Sequence, residues 1–342
     1  MQKEKSGTRP RISVILTVYK RTEYLGGALD SVLAQSFSDY EVIVADDSGT
    51  AAAREIVASR ARVDQRVHYR ANPATVGIVL SLVGTVKEAR GDFIAILNDD
   101  DYWEMDFLSE LVGPLIADAS CVAAFADHWV MDETGRIDIA QSNTWSANTS
   151  RSTLPAGPVR EQAEFTIAKA GIPVATSAMF RKNAVDWSLV VPEVSGAYDY
   201  WISCLLGASG RPIYYVPKRL ARYRVHAAME SLRRSHDKAE NLVYIFTKLR
   251  QQNWFPEMDT VIRAKLAEAL LLAARDKLHF GHFQASRRLF CRSFLLDFRP
   301  MALAGAIGTF IPGTLRKKLW TFIRAVGARL NQKSAGRSVR PR

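Results

Sequence analysis

The first hundred residues contain apolar runs that stop abruptly at polar residues. RISVILTVY, Arg11–Tyr19, is almost entirely apolar after its first residues, and YEVIVADDSG, Tyr40–Gly49, is apolar until two aspartates and a Ser-Gly turn. A third run, DFIAILNDDD, Asp92–Asp101, ends in one asparagine and three aspartates. Continuous apolar runs of this length predict strands that are covered on both faces, as in a parallel sheet.

Segments with apolar residues at helical spacing separate these runs. Leu25, Leu29 and Val32 mark one such segment, and VLSLVGTVKEARG marks another that we expect Gly91 to close as its C-cap. Strands and helices that alternate with short loops predict an α/β fold with a doubly wound sheet. Ligands bind such sheets at the carboxyl ends of the strands. The polar residues expected there are Thr17, Tyr19, Asp46, Asp47, Asp99, Asp100 and Asp101.

The rest of the chain is patterned less regularly. We expect a helix broken near Pro114, a strand over 121–132, a polar loop over 143–157 and a strand over 174–182. Later apolar spacing predicts an αα-hairpin about Gly281. The predicted domains, with a boundary near 226–235, are a disordered N-terminus at 1–10, an α/β domain at 11–230, a helical region at 231–330 and a disordered basic tail at 331–342.

Charge is divided unequally along the 342 residues. Residues 1–210 hold 19 Lys and Arg against 27 Asp and Glu, a net charge of −8, whereas residues 211–342 hold 27 against 8, a net charge of +19. We therefore expect the two parts to face different partners. A hydrophobic content of 48% is ample for a core and excludes a disordered chain.

Cysteine usage and hydropathy bear on the compartment. The three cysteines, Cys121, Cys204 and Cys291, are widely spaced and lack metal-ligand spacing, which favours free thiols in a reducing compartment. The polar N-terminus has no apolar core of a signal peptide, and no run approaches the roughly 18–20 apolar residues of a membrane span. We expect a cytoplasmic protein, soluble or peripheral on the inner face of the cytoplasmic membrane.

The cluster Asp99–Asp101 requires a neutralising charge. Adjacent carboxylates repel one another unless a positive group lies among them. One explanation is a solvated turn, since Asp is common in turns. The other follows from the apolar strand before the cluster, which places the acids in the crevice, where Mg²⁺ or Mn²⁺ and a substrate diphosphate would neutralise them.

Three segments in this order and spacing resemble the family 2 glycosyltransferases of GT-A fold. They are SVILTVYKRTEYLGGALDSVLAQSF, YEVIVADDSG and ARGDFIAILNDDDYW, and the similarity extends from about Arg11 to about Leu232. It implies a GT-A fold, a Rossmann-like doubly wound mixed sheet followed here by C-terminal helices. It also implies an inverting enzyme that uses a nucleotide-diphospho-sugar and a divalent metal ion.

The resemblance assigns roles to the strand-end residues. Thr17 and Tyr19 would border the nucleotide base, with Tyr19 as a stacking face, although a core tyrosine is the alternative. Asp47, with Asp46 beside it, would accept a hydrogen bond from the ring N–H of a uracil-like base, and Asp99 would contact the ribose. Asp100 would bind the metal. The family's two-acid signature would begin at Asn98, an amide in this sequence.

The resemblance also implies a catalytic base and a diphosphate site. Asp199 would deprotonate the acceptor hydroxyl, although Tyr198 replaces the glutamate that family members carry before it. The alternative is that Asp199 only caps the helix that it begins. Arg224 would neutralise the diphosphate and His226 would be a further metal ligand, whereas a lone histidine is more often a surface or core residue.

In the C-terminal segment, basic residues alternate with apolar ones. From Pro300 onward there are nine Lys and Arg and no acid, interleaved with large apolar residues. Over 313–330 this pattern favours a helix on an anionic membrane surface, as a lipid-linked acceptor would require. A solvated tail is the alternative. Nucleic acid is not expected, because no nucleic-acid-binding module is present.

Two other functions compete with glycosyl transfer. Receiver-like or phosphatase-like phosphoryl chemistry would also need an acid at the end of the first strand, where this chain has Thr17-Val18-Tyr19. A non-catalytic sugar-nucleotide-binding protein would keep Asp47 and Asp100 but lack the base, so Asp199 argues against it. The predicted function is transfer of a sugar, from a UDP-sugar, to a hydroxyl of a glycan or lipid-linked acceptor in cell-surface polysaccharide synthesis.

Overall fold

A computed structural model gives the structure of the chain and describes residues 9–226 and 235–310. The basic segment 313–330, the tail 331–342 and most of the predicted disordered N-terminus lie outside the described residues. The expectations for those three segments stay predictions.

The strands form one mixed sheet of ten strands in the order β3-β2-β1-β4-β9-β6-β10-β5, with β7 beside β6 and β8 beside β10. The strands are β1 (Ile12–Val18), β2 (Tyr40–Asp46), β3 (Val67–Ala71), β4 (Phe93–Asn98), β5 (Tyr102–Trp103), β6 (Ala123–Met131), β7 (Ile137–Asp138), β8 (Gly157–Pro158), β9 (Ala178–Arg181) and β10 (Ile213–Arg224).

The predicted parallel strands form the centre of this sheet. Strand β1 pairs in parallel with β2 and β4, and every residue of β1 and β2 is buried. The register places Val18 beside Asp46 and Thr17 beside Asn98. Strand β9 is antiparallel to both β4 and β6, and β6 is parallel to β10, so Arg224 emerges at the same edge as Asn98. The common carboxyl edge predicted from the apolar runs is confirmed.

Helices connect and cover the strands. They are α1 (Leu25–Leu33), α2 (Ala51–Ala61), α3 (Ile78–Glu88), α4 (Phe107–Ala117), α5 (Ile139–Asn148), α6 (Gln162–Ile167), α7 (Val174–Ser177), α8 (Tyr198–Ala208), α9 (Ser235–Gln252), α10 (Asp259–His279), α11 (Phe283–Leu296) and α12 (Pro300–Gly308). The predicted periodicity of α1 is confirmed, because Leu25, Leu29 and Val32 are buried.

Helix α4 and the end of α3 correct two predictions. Helix α4 continues through Pro114, because Leu111 and Leu115 on either side of the proline are buried in the core. Helix α3 has Ala89 rather than Gly91 as its C-cap residue. A Cβ atom at Gly91 would overlap the backbone of Ser13, so this glycine instead permits close approach of the chain to β1.

Two predictions in the second half of the sheet were also wrong. Part of the loop expected over 143–157 belongs to α5, whose first turn Asp138 caps by accepting a hydrogen bond from the Gln141 N–H at 2.8 Å. Ser142 fixes this helix to β6, since its hydroxyl accepts from the Val130 N–H. The strand expected over 174–182 is a short helix, α7, followed by β9.

The chain divides into two compact units. Among the described residues, the first unit ends at Asn241 and also includes Trp254–Met258, and the second contains 242–253 and 259–310. The predicted boundary near 226–235 lies largely outside the described residues. The helices that the structure describes are all too short or too polar to cross a membrane.

The second unit contains the predicted αα-hairpin. Helices α10 and α11 flank Gly281, which has a φ of +81° that favours glycine. Their shared core contains Ala274 and Phe290. Helix α12 packs closely on this core, since a Cβ at Gly305 would lie about 2.5 Å from the Phe290 ring.

Candidate active site

The acid cluster, which we define as Asp99, Asp100 and Asp101, follows β4 and is buried. The positive group beside it is Arg21, which the sequence analysis did not identify. One guanidinium nitrogen of Arg21, Nη2, lies 3.0 Å from Asp99 Oδ1, and the other, Nη1, lies 2.8 Å from Asp100 Oδ2. The solvated-turn alternative is therefore wrong: the carboxylates are withdrawn from water and paired with a cation.

A tight turn directs Arg21 toward the acids. Lys20 has a φ of +62°, which is unusual for a residue with a side chain, and the Arg21 N–H donates to the Tyr19 carbonyl at 2.8 Å. This three-residue turn reverses the chain immediately after β1. The sequence signal for it is the polar run Lys20-Arg21-Thr22-Glu23 directly after a buried strand.

Asp99 carries an altered pKa. Burial, followed by the charge of Asp100, raises the pKa of the Asp99 carboxyl to about 7, although Arg21 opposes this change. Asp99 Oδ1 pairs with Arg21, and Asp99 Oδ2 accepts a hydrogen bond from the Tyr19 N–H at 3.3 Å. Asp99 is therefore held against the turn after β1 on both of its oxygens.

Asp101 links neighbouring strands. Its Oδ1 accepts the Arg224 N–H of β10 at 2.9 Å, and its Oδ2 accepts from the Thr176 hydroxyl at 3.1 Å and from the Asn98 amide at 3.3 Å. Complete burial and the charge of Asp100 raise the pKa of Asp101 well above its usual range. Asn98 thus connects β4 to Asp101, and its Oδ1 accepts from the Thr17 hydroxyl at 3.2 Å.

Arg224 and His226 come to the same cluster from the end of β10. The Arg224 guanidinium is buried, and it donates to the carbonyl oxygens of Asp100, Asp132 and Glu133 at 2.9 to 3.1 Å. Its predicted contact with a diphosphate would require some of these bonds to break. His226 Nε2 lies 3.2 Å from Asp100 Oδ2 and 3.2 Å from Arg21 Nη1.

The predicted base site lies at the carboxyl edge of β2. Asp47 accepts hydrogen bonds from the Asn72 amide and from the N–H groups of Val76 and Gly77, all between 2.8 and 2.9 Å. Asp47 therefore organises the loop before α3 and keeps the acceptor character that a uracil N–H would need. The Tyr19 ring is partly exposed near this edge.

Asp46 has a different environment from Asp47. Its oxygens accept from the N–H and hydroxyl of Ser48, from the Gly49 N–H and from the Tyr69 hydroxyl. These bonds close the turn after β2 and leave the buried Asp46 carboxylate fully occupied within the protein.

Asp199 is half-buried in the first turn of α8. Ala197 is the N-cap residue of this helix, and no side chain caps it, so the alternative in which Asp199 only caps the helix is not supported. Tyr198, the residue before it, is buried. Burial raises the pKa of the Tyr198 phenol, and the charges of Asp199, Asp101, Asp100 and Asp99 act in the same direction.

The side-chain atoms around Asp100 are suitable ligands for a divalent metal ion. A carboxylate oxygen and an imidazole nitrogen lie 3.2 Å apart, and Mn²⁺ or Mg²⁺ commonly takes one or two protein ligands together with substrate phosphates. Within the described parts of the chain, no group of three or more His, Cys, Asp or Glu side chains could hold a metal alone. The remaining ligands of such an ion would be phosphate oxygens of a bound substrate.

Comparisons with known proteins identify the chain. The family model described as glycosyl transferase family 2 matches residues 13–186, which is half of the chain. The chain belongs to the family 2 glycosyltransferases and has the GT-A fold, as its sequence motifs predicted.

The curated relatives match over part of their length. TuaG of Bacillus subtilis (strain 168), named for teichuronic acid biosynthesis, is 28% identical over 127 residues, which are 37% of this chain and 50% of TuaG. The chain thus spans about half of the length of this relative.

Solved structures match over nearly the whole chain. Residues 1–349 of Staphylococcus aureus TarS in complex with UDP-GlcNAc superpose with a TM-score of 0.60 at 15% identity and cover 92% of both chains. The mannosyltransferase PcManGT of Pyrobaculum calidifontis in complex with GDP-Man and Mn²⁺ gives a TM-score of 0.51 at 16% identity over 88% of this chain and 87% of its own. At these identities the likeness shows the fold.

Proposed function

We propose that the protein is an inverting glycosyltransferase that moves a sugar from a nucleotide-diphospho-sugar to a hydroxyl group. The observation that carries this proposal is the buried acid cluster at the carboxyl edge of the sheet, where Arg21 and His226 both contact Asp100. Asp199 supports it, because its charge acts on the same buried Tyr198 phenol as the charges of those acids. A general base and a cation site close to one another are what displacement of a nucleoside diphosphate requires.

The donor that we propose is a UDP-sugar. Asp47 supports it, because a carboxylate accepts and does not donate, so it would favour the ring N–H of uracil over bases that present acceptors there. The Tyr19 ring offers a stacking face at the neighbouring strand end. The UDP-GlcNAc complex of TarS, a protein of the same fold, supports the same nucleotide.

In the proposed mechanism, Asp199 removes the proton of the acceptor hydroxyl as that oxygen attacks the anomeric carbon. The bond from this carbon to the diphosphate oxygen breaks on the opposite face, so the configuration inverts. Arg21 and His226 both contact Asp100, and in this scheme the three side chains face the charge of the diphosphate. A divalent metal held by Asp100 and His226 would supply electrostatic stabilisation of the leaving group.

Tyr198 has a positioning role in this scheme. Its buried phenol replaces the glutamate of other family members, and its raised pKa keeps it neutral and able to donate a hydrogen bond. A neutral neighbour does not add a further negative charge beside Asp199. The Tyr198 departure is therefore compatible with catalysis.

The acceptor that we propose is a hydroxyl of a glycan or of a lipid-linked saccharide in cell-surface polysaccharide synthesis. The name of TuaG, a relative in teichuronic acid biosynthesis, supports this class. We place the protein in the cytoplasm, with a peripheral position on the inner face of the membrane.

Binding of the donor is tested by thermal denaturation with UDP, GDP, CDP or dTDP, each with and without Mn²⁺. A ligand at 100 times its Kd stabilises the folded state by about 2.7 kcal/mol. We expect UDP with Mn²⁺ to raise the Tm most, and Asp100→Asn to lose the Mn²⁺-dependent part of the increase. Equal stabilisation by all four nucleotides would contradict the uracil assignment.

Catalysis is tested with Asp199→Asn. We expect transfer, or hydrolysis of the donor, to fall by about 10²- to 10⁴-fold while the UDP and Mn²⁺ shift is retained. Glu193→Gln, an exposed acid just before the same helix, is the matched control and should keep wild-type turnover. Donor binding by the wild type without turnover would instead support the non-catalytic sugar-nucleotide-binding protein.

We also propose that the second unit binds an anionic membrane surface. Leu295, Phe298, Ile307 and Phe310 are each more than half exposed, an unusual density of large apolar side chains. Nine Lys and Arg and no acid occur from Pro300 to the end of the sequence. These basic residues follow the apolar ones in the sequence and lie outside the described residues; apolar and basic residues in one segment favour the interface of an anionic bilayer.

Membrane binding is tested by co-sedimentation with vesicles of phosphatidylcholine alone or mixed with phosphatidylglycerol. We expect binding only to the mixed vesicles, weakening as salt rises. The double variant Phe298→Ser and Phe310→Ser should bind less than wild type, whereas Val63→Ser, an equally exposed apolar residue of the first unit, should not. Equal binding by the two variants would contradict the assignment of Phe298 and Phe310 to a membrane-binding surface.

A further inference from the structure

We infer that Arg21 is an exchangeable counter-ion, which occupies the metal position in the free enzyme and moves to the diphosphate when donor binds. The inference rests on the proposed function and adds to it a coupling between the binding of the metal and the binding of the donor. Metal and nucleoside diphosphate would bind together, because each removes an obstacle to the other.

The first observation is that Arg21 uses the atoms a metal would need. Its Nη1 lies 2.8 Å from Asp100 Oδ2 and 3.2 Å from His226 Nε2, the two proposed ligand atoms. A neutral imidazole nitrogen has a single lone pair. If His226 Nε2 accepts the Arg21 N–H, that lone pair is occupied; if Nε2 carries a proton and donates to Asp100, it has none to give. A metal ion therefore requires Arg21, His226 and Asp100 to rearrange.

The second observation is the burial of the charges. Asp99 and Asp100 are buried, with their side chains 4% and 12% exposed, and removing a cation from them without replacement is costly. A divalent ion replaces that charge. It also repels the guanidinium, to which a diphosphate offers a new anionic partner.

The third observation is that Arg21 is the more exposed of the two arginines at the acid cluster. Its side chain is 25% exposed, in contrast to Arg224, which is 2% exposed and bound to three backbone carbonyls. A guanidinium matches the paired oxygens of a diphosphate in geometry and charge. The diphosphate thus supplies both the new partner of Arg21 and the missing ligands of the metal.

The expected result is positive coupling between two ligands. Mn²⁺ alone should bind weakly, and UDP should strengthen Mn²⁺ binding by about 5- to 150-fold, the usual range of coupling between sites. By reciprocity, Mn²⁺ should strengthen UDP binding by the same factor.

The test uses the full chain and the electron paramagnetic resonance signal of free Mn²⁺, with correction for the Mn²⁺–UDP complex in solution. We expect Arg21→Gln to bind Mn²⁺ alone at least fivefold more tightly than wild type and to show a smaller coupling factor. Arg62→Gln is the matched control, since it removes the same charge from an exposed residue at the far end of α2, and should leave both values unchanged.

Two outcomes would overturn the inference. One is an unchanged or weaker affinity of Arg21→Gln for Mn²⁺ alone, and the other is a wild-type affinity for Mn²⁺ that UDP does not alter. Arg21→Lys covers a failure of the first variant to fold: it keeps a charge without the fork geometry and should bind Mn²⁺ alone more tightly than wild type. Absence of both UDP and Mn²⁺ binding in wild type would instead contradict the proposed function, and this inference with it.

Discussion

Two buried charge clusters in the first unit have opposite compositions. The acid cluster holds three carboxylates, and Arg21 pairs with two of them. The arginine cluster, which we define as Asp127, His128, Arg151 and Arg219, holds one carboxylate between two guanidinium groups. Arg151 Nε lies 3.0 Å from Asp127 Oδ1, and Arg219 Nε lies 3.5 Å from Asp127 Oδ2.

Burial is the largest cause of the pKa shifts in both clusters, and a neighbouring like charge adds to it in each. Burial and a neighbouring negative charge raise the pKa of Asp99 to about 7. Burial, followed by the charge of Arg151, lowers the pKa of His128 to about 3. One cluster is thus short of positive charge and the other has it in excess.

The two clusters balance their net charge in different ways. Arg219, in the arginine cluster, lies over the Trp129 ring at 4.4 Å and donates to Asn143 Oδ1 at 2.7 Å, so the protein itself accommodates the extra charge. In the acid cluster, the partly exposed Arg21 pairs with Asp99 and Asp100, and His226 lies beside Asp100. Comparable burial therefore gives a structural cluster in one place and a cation-binding site in the other.

The largest expected effect is loss of stability in Asp127→Asn. This change leaves the buried Arg151 and the partly exposed Arg219 without their carboxylate, and removal of one partner from a buried ion pair typically costs about 3–5 kcal/mol. Urea unfolding monitored by circular dichroism measures the change. Glu110→Gln, which breaks the 2.7 Å pair with the exposed Lys218, is the control and should cost less than about 1 kcal/mol.

If Asp127→Asn were as stable as Glu110→Gln, burial would not be what makes the arginine cluster structural. The contrast drawn between the two clusters would then rest on charge count alone and would lose its physical basis.

Sequence patterns predicted the frame of the site well. Buried parallel strands have a strong signature, since nearly every residue of β1, β2 and β4 is apolar, and their ends fix Thr17, Asp47 and Asp100 at one edge. The position of these residues in the sheet follows from the apolar pattern of each strand and from the common direction of parallel strands.

Side chains that depend on distant partners were not predictable. Arg21 meets His226 across 205 residues, and Asp127 meets Arg151 and Arg219 from separate segments, so no local spacing reports these contacts. Helix α5 was missed for a related reason. Its buried residues are Ser142 and Ser146, which carry no apolar periodicity, and hydrogen bonds of Ser142 with Asp138 and β6 help to hold it.

The second expected effect is a dependence of stability on pH that originates at His128. Its pKa is about 3 when folded and near 6.5 when unfolded, so the unfolded chain binds more protons between these values. The contribution of His128 is complete above pH 6.5 and is lost as pH falls. From pH 7 to pH 5 the loss should be about 2 kcal/mol.

The measurement compares urea unfolding of wild type and His128→Asn over this range. The difference between the two proteins isolates His128 from other titrating groups, because Arg151, Asp127, Arg219 and the rings of Trp145 and Tyr223 face it in both. The side-chain oxygen of the substituted asparagine can accept a hydrogen bond from Arg151, as His128 Nδ1 can. Parallel pH profiles would show that the charge excess does not act on His128.

The smallest expected effect, and the one of opposite sign, belongs to Asp100→Asn. This change removes the 2.8 Å pair with Arg21 but also the repulsion of Asp100 by Asp99 and Asp101, while Arg21 keeps its 3.0 Å contact with Asp99. The bond from Arg224 to the Asp100 carbonyl is unaffected, since it uses the backbone. The ligand-free variant should therefore equal wild type or gain up to about 1 kcal/mol, as residues retained for function rather than stability often do. A loss of more than about 2 kcal/mol would place Asp100 with Asp127 among structural acids, because only a carboxylate needed by buried cations carries such a penalty.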